Sequence, residues 1–346
     1  MELNRNFGLD FLRFTAIMLV ILAHLFKVAD SLGLWGVELF FALSGFLIGG
    51  IIINYYTANQ QFNFNSLSNF WKRRWYRTLP NYYLYFVITL VFTLLNNSRF
   101  NDWFNVAKSI FFIQNFTSRY ESFFGVSWSL CIEEWYYLIY PLPLILFRFK
   151  NKKNSLLYYT IIFIILGIII RFIFSEMGVG HSLRGITLAR FDAIAYGTLI
   201  AILVDKKTFN LKITNTLFSI GIFLLSFSIF YVYFSGNSYE YVRTNPLLLS
   251  IIPLGFATII PMTKKLTILP GYGLITSISK WSYSMYLSHI PIIFTVYILM
   301  EDMRLNSIGN LLSKIVALII CIYFSRLTYK YFEKPFTSLR PKTNEI

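Results

Sequence analysis

Apolar stretches of about 20 residues recur from one end of the chain to the other, separated by short polar connections. A helix of that length rises through the ~30 Å hydrocarbon core of a bilayer at ~1.5 Å per residue. Ten spans are predicted: Leu9–Val28, Leu34–Tyr55, Asn81–Leu95, Val126–Phe147, Ser155–Phe174, Leu188–Val204, Thr214–Ser235, Pro246–Met262, Ser277–Met300 and Ile308–Tyr329. The third and eighth are short, and the eighth holds Pro246, Pro253 and Pro261, which interrupt a helical hydrogen-bond ladder. The expected fold class is therefore all-α: a polytopic integral membrane helical bundle of about ten transmembrane helices, forming one domain over residues 1–346.

The polar connections give the bundle a direction. One alternate set holds Arg5; Lys72, Arg73, Arg74 and Arg77; Arg148, Lys150, Lys152 and Lys153; Lys206, Lys207 and Lys212; Lys264 and Lys265; and Lys330, Lys334, Arg340 and Lys342. The other set holds Lys27, Arg99, Lys108, Arg119, Arg171, Arg184, Arg190, Arg243 and Arg304, roughly half as many. Basic residues are retained on the cytoplasmic side, so both termini are expected in the cytoplasm. Two connections exceed what packing needs. Residues 56–80 end in Phe70-Trp71-Lys72-Arg73-Arg74-Trp75-Tyr76-Arg77, an aromatic and basic helix start. Residues 96–125 carry Trp103, Phe104, Phe111, Phe112, Tyr120 and Phe123, and their middle reads as an amphipathic segment in the interface.

Composition sharpens this. Of 346 residues 56% are hydrophobic and only 14% charged, where a soluble domain of this length would carry roughly a quarter charged. The net charge of +15 is spread among the connections, which fits membrane topology better than a nucleic-acid surface. Cys131 and Cys321 lie in apolar spans without metal-site or disulfide spacing and read as small buried hydrophobes. The first apolar run contains Asp10 and Arg13 and lacks a small-residue cleavage site, so it is expected to stay as a span.

The spans also hold residues that lipid penalises. An Asp, Arg or Lys at a span centre costs ~2.5–3.5 kcal/mol, yet Arg13, His24, Glu38, Glu133, Glu134, Asp192 and His289 all fall within predicted spans. They are expected to face one another or a wet cavity. Arg13 and His24 are separated by ten residues, close to a whole number of turns, so they share a helix face ~16 Å apart. Asp10 lies near the same stripe and can neutralise Arg13. This face offers a cation near one membrane surface and an imidazole deep in the span, suited to a long substrate with an anionic head. Arg74 and Arg77, with Arg73 beside them, are either a membrane-surface anchor or guanidiniums for phosphate. Glu133 shares a face with Ser129, whereas Glu134 diverges from it by ~100°. Glu38, Asp192 and the Ser282, Tyr286 and His289 face are interhelical partners or substrate contacts. His181 falls in an outer connection.

Seven segments in order resemble the membrane acyltransferase-3 family of ten-span O-acyltransferases. They are Leu9-Asp10-Phe11-Leu12-Arg13 through His24 (an Arg-x10-His signature), Gly36-Val37-Glu38-Leu39-Phe40-Phe41-Ala42-Leu43-Ser44-Gly45-Phe46 and Arg74-x-x-Arg77 before Leu79-Pro80. Then follow Trp128-Ser129-Leu130 to Glu133-Glu134 with Pro141, Arg190-Phe191-Asp192-Ala193, Ser282-Tyr283-Ser284-Met285-Tyr286-Leu287-Ser288-His289-Ile290-Pro291 and Phe332-Glu333-Lys334-Pro335-Phe336. Phe11 stands where the family usually has Gly, and Cys131 and Trp135 are less usual in their motif. Some relatives carry an added hydrolase-like domain; here the membrane domain is expected to work alone.

The resemblance implies transfer of an acyl group, most often acetyl, from cytoplasmic acyl-coenzyme A to a hydroxyl of a cell-surface polysaccharide or its lipid-linked saccharide precursor, in a bacterial inner membrane. On that basis Arg13, Arg73, Arg74 and Arg77 are expected to hold the coenzyme's phosphates and His24 to be the general base. Glu133 or Glu134 would support its imidazolium, with Asp10, Glu38, Ser129, Asp192 and His289 supporting or touching substrate. No metal is expected. The alternative is a transporter or flippase of a glycan intermediate.

Overall fold

The computed structural model describes residues 5–26, 30–57, 63–96, 100–118, 123–146, 152–178, 182–204, 210–234, 239–267, 271–301 and 306–341. His181, Val28, Phe147, Ser235, Tyr120 and the connection cations Lys27, Arg99, Arg119, Arg148, Lys150, Lys206, Lys207, Arg304 and Lys342 lie outside the described residues. The helices are α1 (Phe7–Leu25), α2 (Asp30–Thr57), α3 (Phe64–Asn96), α4 (Trp103–Ile110), α5 (Ser127–Ile139), α6 (Pro143–Leu146) and α7 (Lys152–Glu176). They continue with α8 (Phe191–Leu203), α9 (Leu211–Phe234), α10 (Tyr239–Thr244), α11 (Leu248–Thr263), α12 (Tyr272–Glu301), α13 (Ser307–Thr328) and α14 (Lys334–Ser338). No strand occurs among the described residues.

Every predicted span coincides with a helix, but with two kinds of difference. Seven helices (α1, α2, α3, α7, α9, α12 and α13 continued through α14) are long and apolar enough to cross a membrane. The other three are α5 and α8, of 13 residues each, and α11, of 16. At ~1.5 Å per residue these fall short of a ~30 Å core. Pro141 and Pro143 end α5, and α8 opens only after two 3₁₀ turns, Leu183–Gly185 and Leu188–Arg190. Their burial explains why the shortness is tolerated: nearly all of α8 is enclosed by protein, so lipid is not its neighbour. The second difference is α3. The third span was expected to begin at Asn81, after Pro80, whereas α3 is a single helix of 33 residues running through Pro80. The basic run Lys72–Arg77 is thus helical, as expected of an aromatic and basic helix start, and it lies inside α3 rather than ahead of the span.

Close backbone contact sets the centre. A Cβ on Gly45 would lie 1.8 Å from the Ile194 carbonyl oxygen, and one on Gly197 2.1 Å from that of Ala42, so α2 and α8 meet at a distance only glycine permits. The bundle grades outward from there: 72% of the most apolar stretch of α2 is buried, against 11% for α9. Between α3 and α5, α4 shows Trp103 and Phe104 on its exposed side and is tied down by Tyr82 and Tyr83, whose hydroxyls donate to the Ser109 and Ile110 carbonyls. Cys131 and Cys321 are both free and buried.

Both described ends of the chain lie at one end of the bundle. The Asn6 side chain, capping α1, donates to the Lys264 carbonyl beyond α11, and Arg73 donates to the Pro341 carbonyl. A five-residue π-helical turn, Tyr329–Glu333, joins α13 to α14. It leaves Glu333 buried, accepting from Asn81 (2.9 Å) and Ser284 (2.7 Å).

Candidate functional site

The polar face of α1 packs along α12. At its start Asp10, 2% exposed, accepts from Arg5 Nε and Nη2 (2.9 and 2.6 Å), Arg13 Nη1 (3.2 Å) and Ser279 Oγ (2.9 Å). Asp10 is thus a clamp between α1 and α12. Arg13 spares one contact for it and lines two adjoining cavities. At the other end of α1, His24 packs edge-on against His289 of α12, with ring centroids 4.9 Å apart. Arg13 and His24 therefore face one neighbour, as the spacing implies. The depth differs from expectation: α1 ends at Leu25, so His24 sits in its last turn and is exposed rather than deep in the span.

The larger cavity, about 540 Å³, is lined by Arg13, Arg73, Arg74, Arg77 and Arg340 with Leu47, Ile51, Asn54, Tyr55 and Phe70. All four arginines expected to meet phosphate line it, and among the described residues no carboxylate does. Arg74 is held by aromatic faces, 5.8 Å from the Phe70 ring centroid and 5.6 Å from that of Tyr137. Trp71 fixes the helix pair by donating from Nε1 to the Tyr137 carbonyl (3.0 Å). Five guanidiniums around one space repel one another, and only a polyanion relieves them all together.

Inward lies a second cavity of about 90 Å³, sharing Arg13, Arg74 and Arg77 and adding Ser44, Thr78, Ser129, Glu133, Tyr137, Ser282, Tyr283 and Tyr286. Glu133 accepts from Ser44 (2.8 Å) and from the Tyr137 hydroxyl. Ser129 Oγ and the Tyr286 hydroxyl are 2.5 Å apart, with the Phe40 ring 6.2 Å from that of Tyr286. This group forms the far wall. One turn beyond it His289 begins, its ring centroid 5.8 Å from that of Tyr286.

Neither carboxylate of α5 contacts His24 among the described residues. Glu133 is engaged as above, and Glu134 is buried near Thr78 and Arg74. Among the described residues the side chain packed against the His24 ring is a second imidazole, that of His289. Both rings have a fixed tautomer: His24 Nδ1 lies 2.8 Å from the Val20 carbonyl oxygen and His289 Nδ1 2.8 Å from that of Tyr286. A carbonyl only accepts, so each neutral ring carries its proton on Nδ1 and keeps a lone pair on Nε2. His289 Nε2 is wholly buried and has no hydrogen-bond partner among the described residues.

Glu38 and Asp192 belong elsewhere. Glu38 accepts from Arg190 and pairs with Arg184 at 3.5 Å, while Asp192 accepts from Arg171 at 2.7 Å. Arg171 also donates to the Pro246 and Ala189 carbonyls (both 3.0 Å), and Arg190 to that of Leu249. These are interhelical pins joining α2, α7, α8 and α11. Conversely, Ser44, Thr78, Tyr137, Tyr283 and Arg340 line the site without having been singled out. Ser44 sits in a quoted motif, and its hydroxyl beside Gly45 was the available signal. Among the described residues no group of three or more His, Cys, Asp or Glu is placed to hold a metal ion.

Residues 6–330 match the model of a family described as an acyltransferase domain. Among curated proteins the chain is similar to the O-acetyltransferase OatA of Staphylococcus aureus strain NCTC 8325 / PS 47, 27% identical over 357 residues covering 95% of this chain and 56% of that protein. The same figures hold for OatA of strain MRSA252. The chain thus spans just over half the length of the curated relatives it matches. No solved structure matches.

Proposed function

Because the chain belongs to the acyltransferase family whose domain covers its residues 6–330, we propose that it is a membrane O-acetyltransferase. The donor is an acetyl-coenzyme A thioester, and the acceptor a hydroxyl of a cell-surface polysaccharide or its lipid-linked precursor. The observation that carries this reading is the cavity of about 540 Å³ lined by five arginines and, among the described residues, by no carboxylate. Its size is that of a small-ligand site, and its charge suits the phosphates of a nucleotide-bearing donor. The basic bias of the connections at this end supports reading it as the cytoplasmic side, in a bacterial inner membrane on this proposal. No observation favours the alternative of a glycan carrier.

The thioester arm follows α1 and α12 from Arg13 past Glu133 toward the histidines. It reaches His24 when the Ser129–Tyr286 pair parts, since that pair closes the inner cavity. His24 Nε2 then takes the proton of the acceptor hydroxyl as its oxygen attacks the thioester carbonyl. The tetrahedral intermediate expels the coenzyme thiolate, which takes the proton back from the imidazolium, giving ester and free thiol. His289, with its unpartnered Nε2 in a dry site, accepts from the imidazolium or through one water and stabilises it.

The test is His24→Ala in the full chain, with label from acetyl-coenzyme A followed into the surface glycan of cells. General-base loss removes ~10²–10⁴-fold of the rate. Product at the unmutated level overturns the mechanism, and failure of the unmutated protein to bind acetyl-coenzyme A overturns the donor.

A further inference from the structure

Most of the segment after α13 lies outside the family match, which ends at residue 330. Beyond it the chain makes the π-helical turn, the short α14, and returns to α3. Its start is anchored by Glu333 on Asn81 and Ser284, and its end by the Arg73 guanidinium on the Pro341 carbonyl. Between these two anchors, Arg340 turns into the wall of the arginine-lined cavity. Burial, with Arg73 and Arg77 nearby, pulls the pKa of its guanidinium below the ordinary arginine value. A chain that only needed a basic residue to face the cytoplasm would leave it in water, away from other cations. Here it is half-buried and joins four like charges, an arrangement that costs energy until an anion arrives.

We propose that Arg340 is a fifth phosphate ligand of this cavity, brought to it by the anchored return of the chain after α13. This rests on reading the cavity as the donor site. Anionic lipid headgroups carry the same phosphate chemistry, so the experiment separates the two sources.

The full chain is reconstituted in nanodiscs of phosphatidylcholine alone, or with phosphatidylglycerol, and binding of coenzyme A is measured for the unmutated protein, Arg340→Gln and Arg340→Lys. Arg340→Gln is expected to raise the Kd about tenfold in phosphatidylcholine at low salt, as for loss of one charged hydrogen bond. Arg340→Lys is expected to restore part of the affinity, and the difference to shrink toward about twofold near 0.5 M salt as screening grows. An equal loss at every salt concentration, without rescue by Lys, shows a merely structural residue and overturns the proposal. So does a Gln variant that binds coenzyme A within twofold of the unmutated protein, including the case in which only its retention of phosphatidylglycerol falls. If the unmutated protein itself does not bind coenzyme A, the donor reading fails with it.

Discussion

At one end of the bundle Arg171, Arg184 and Arg190 share their space with Asp192 and Glu38; at the other, Arg13, Arg73, Arg74, Arg77 and Arg340 surround a cavity to which none of the described carboxylates contributes. Glu38 belongs to the first group and Leu47, Ile51, Asn54 and Tyr55 of the same helix line the second, so α2 carries both, about 14–25 Å apart along its axis. The first group is charge-paired: Arg171 and Arg190 are fully buried, each meets a carboxylate, and both also donate to backbone carbonyls. Such groups fix helices against one another. The second group is open and of one sign, which destabilises the empty protein and favours a multiply charged guest. Buried arginine alone therefore says little about function; what surrounds it decides.

The sharpest way to break this contrast is Glu38→Gln. It leaves Arg190 buried without a full countercharge, and removing one partner of a buried pair costs ~3–5 kcal/mol. Thermal unfolding in detergent should show that loss, while turnover per folded molecule stays near the unmutated value. If the variant is as stable as the parent but inactive, Glu38 is a site residue and the division of labour between the two ends is wrong.

The counterpart is Arg74→Gln. It removes one cation from a crowded group, so stability should hold or rise slightly. The KM for acetyl-coenzyme A should increase ~10–100-fold, in line with ~1.5–3 kcal/mol for a hydrogen bond to a charged group. A large fall in stability instead would mean that the stacking of Arg74 between Phe70 and Tyr137 is structural.

Much of this was legible in the sequence because lipid imposes a strong pattern. Runs of apolar residues place the helices of 13 residues or more among the described residues, and the intramembrane Arg13, Glu38, Asp192 and His289 announce themselves by being expensive. What could not be read is tertiary. The three short helices look like spans because an interior helix of a large membrane protein is as apolar as a lipid-facing one. Pro80 marks a helix start by local rules, yet α3 passes through it because its surroundings tolerate the missing donor. His24 and His289 are 265 positions apart, so their contact is invisible to spacing. Arg340 counts only as a cytoplasmic charge until the π-helical turn returns the chain to α3. Glu133 and Glu134 were drawn toward His24 by sequence depth alone; Ser44 and Tyr137 hold one, and burial near Arg74 holds the other.

Asp10→Asn probes the boundary between the two designs, because Asp10 pairs with Arg13 of the open group. Arg5 and Arg13 keep 35% and 17% of their side chains exposed, so losing the charge should cost only about 1 kcal/mol of stability. Its effect on the donor carries the opposite sign to that of Arg74→Gln. Removing a negative charge beside Arg13 makes the cavity more positive and should tighten coenzyme A binding about two- to threefold at low salt, an effect lost by about 0.5 M. Weaker binding instead would show that Asp10 acts by aiming Arg13, and that its grip matters more than its field. In that case the clamp of Arg5 and Ser279 on Asp10 belongs to the donor site, and the open group begins one turn earlier on α1 than the cavity wall indicates.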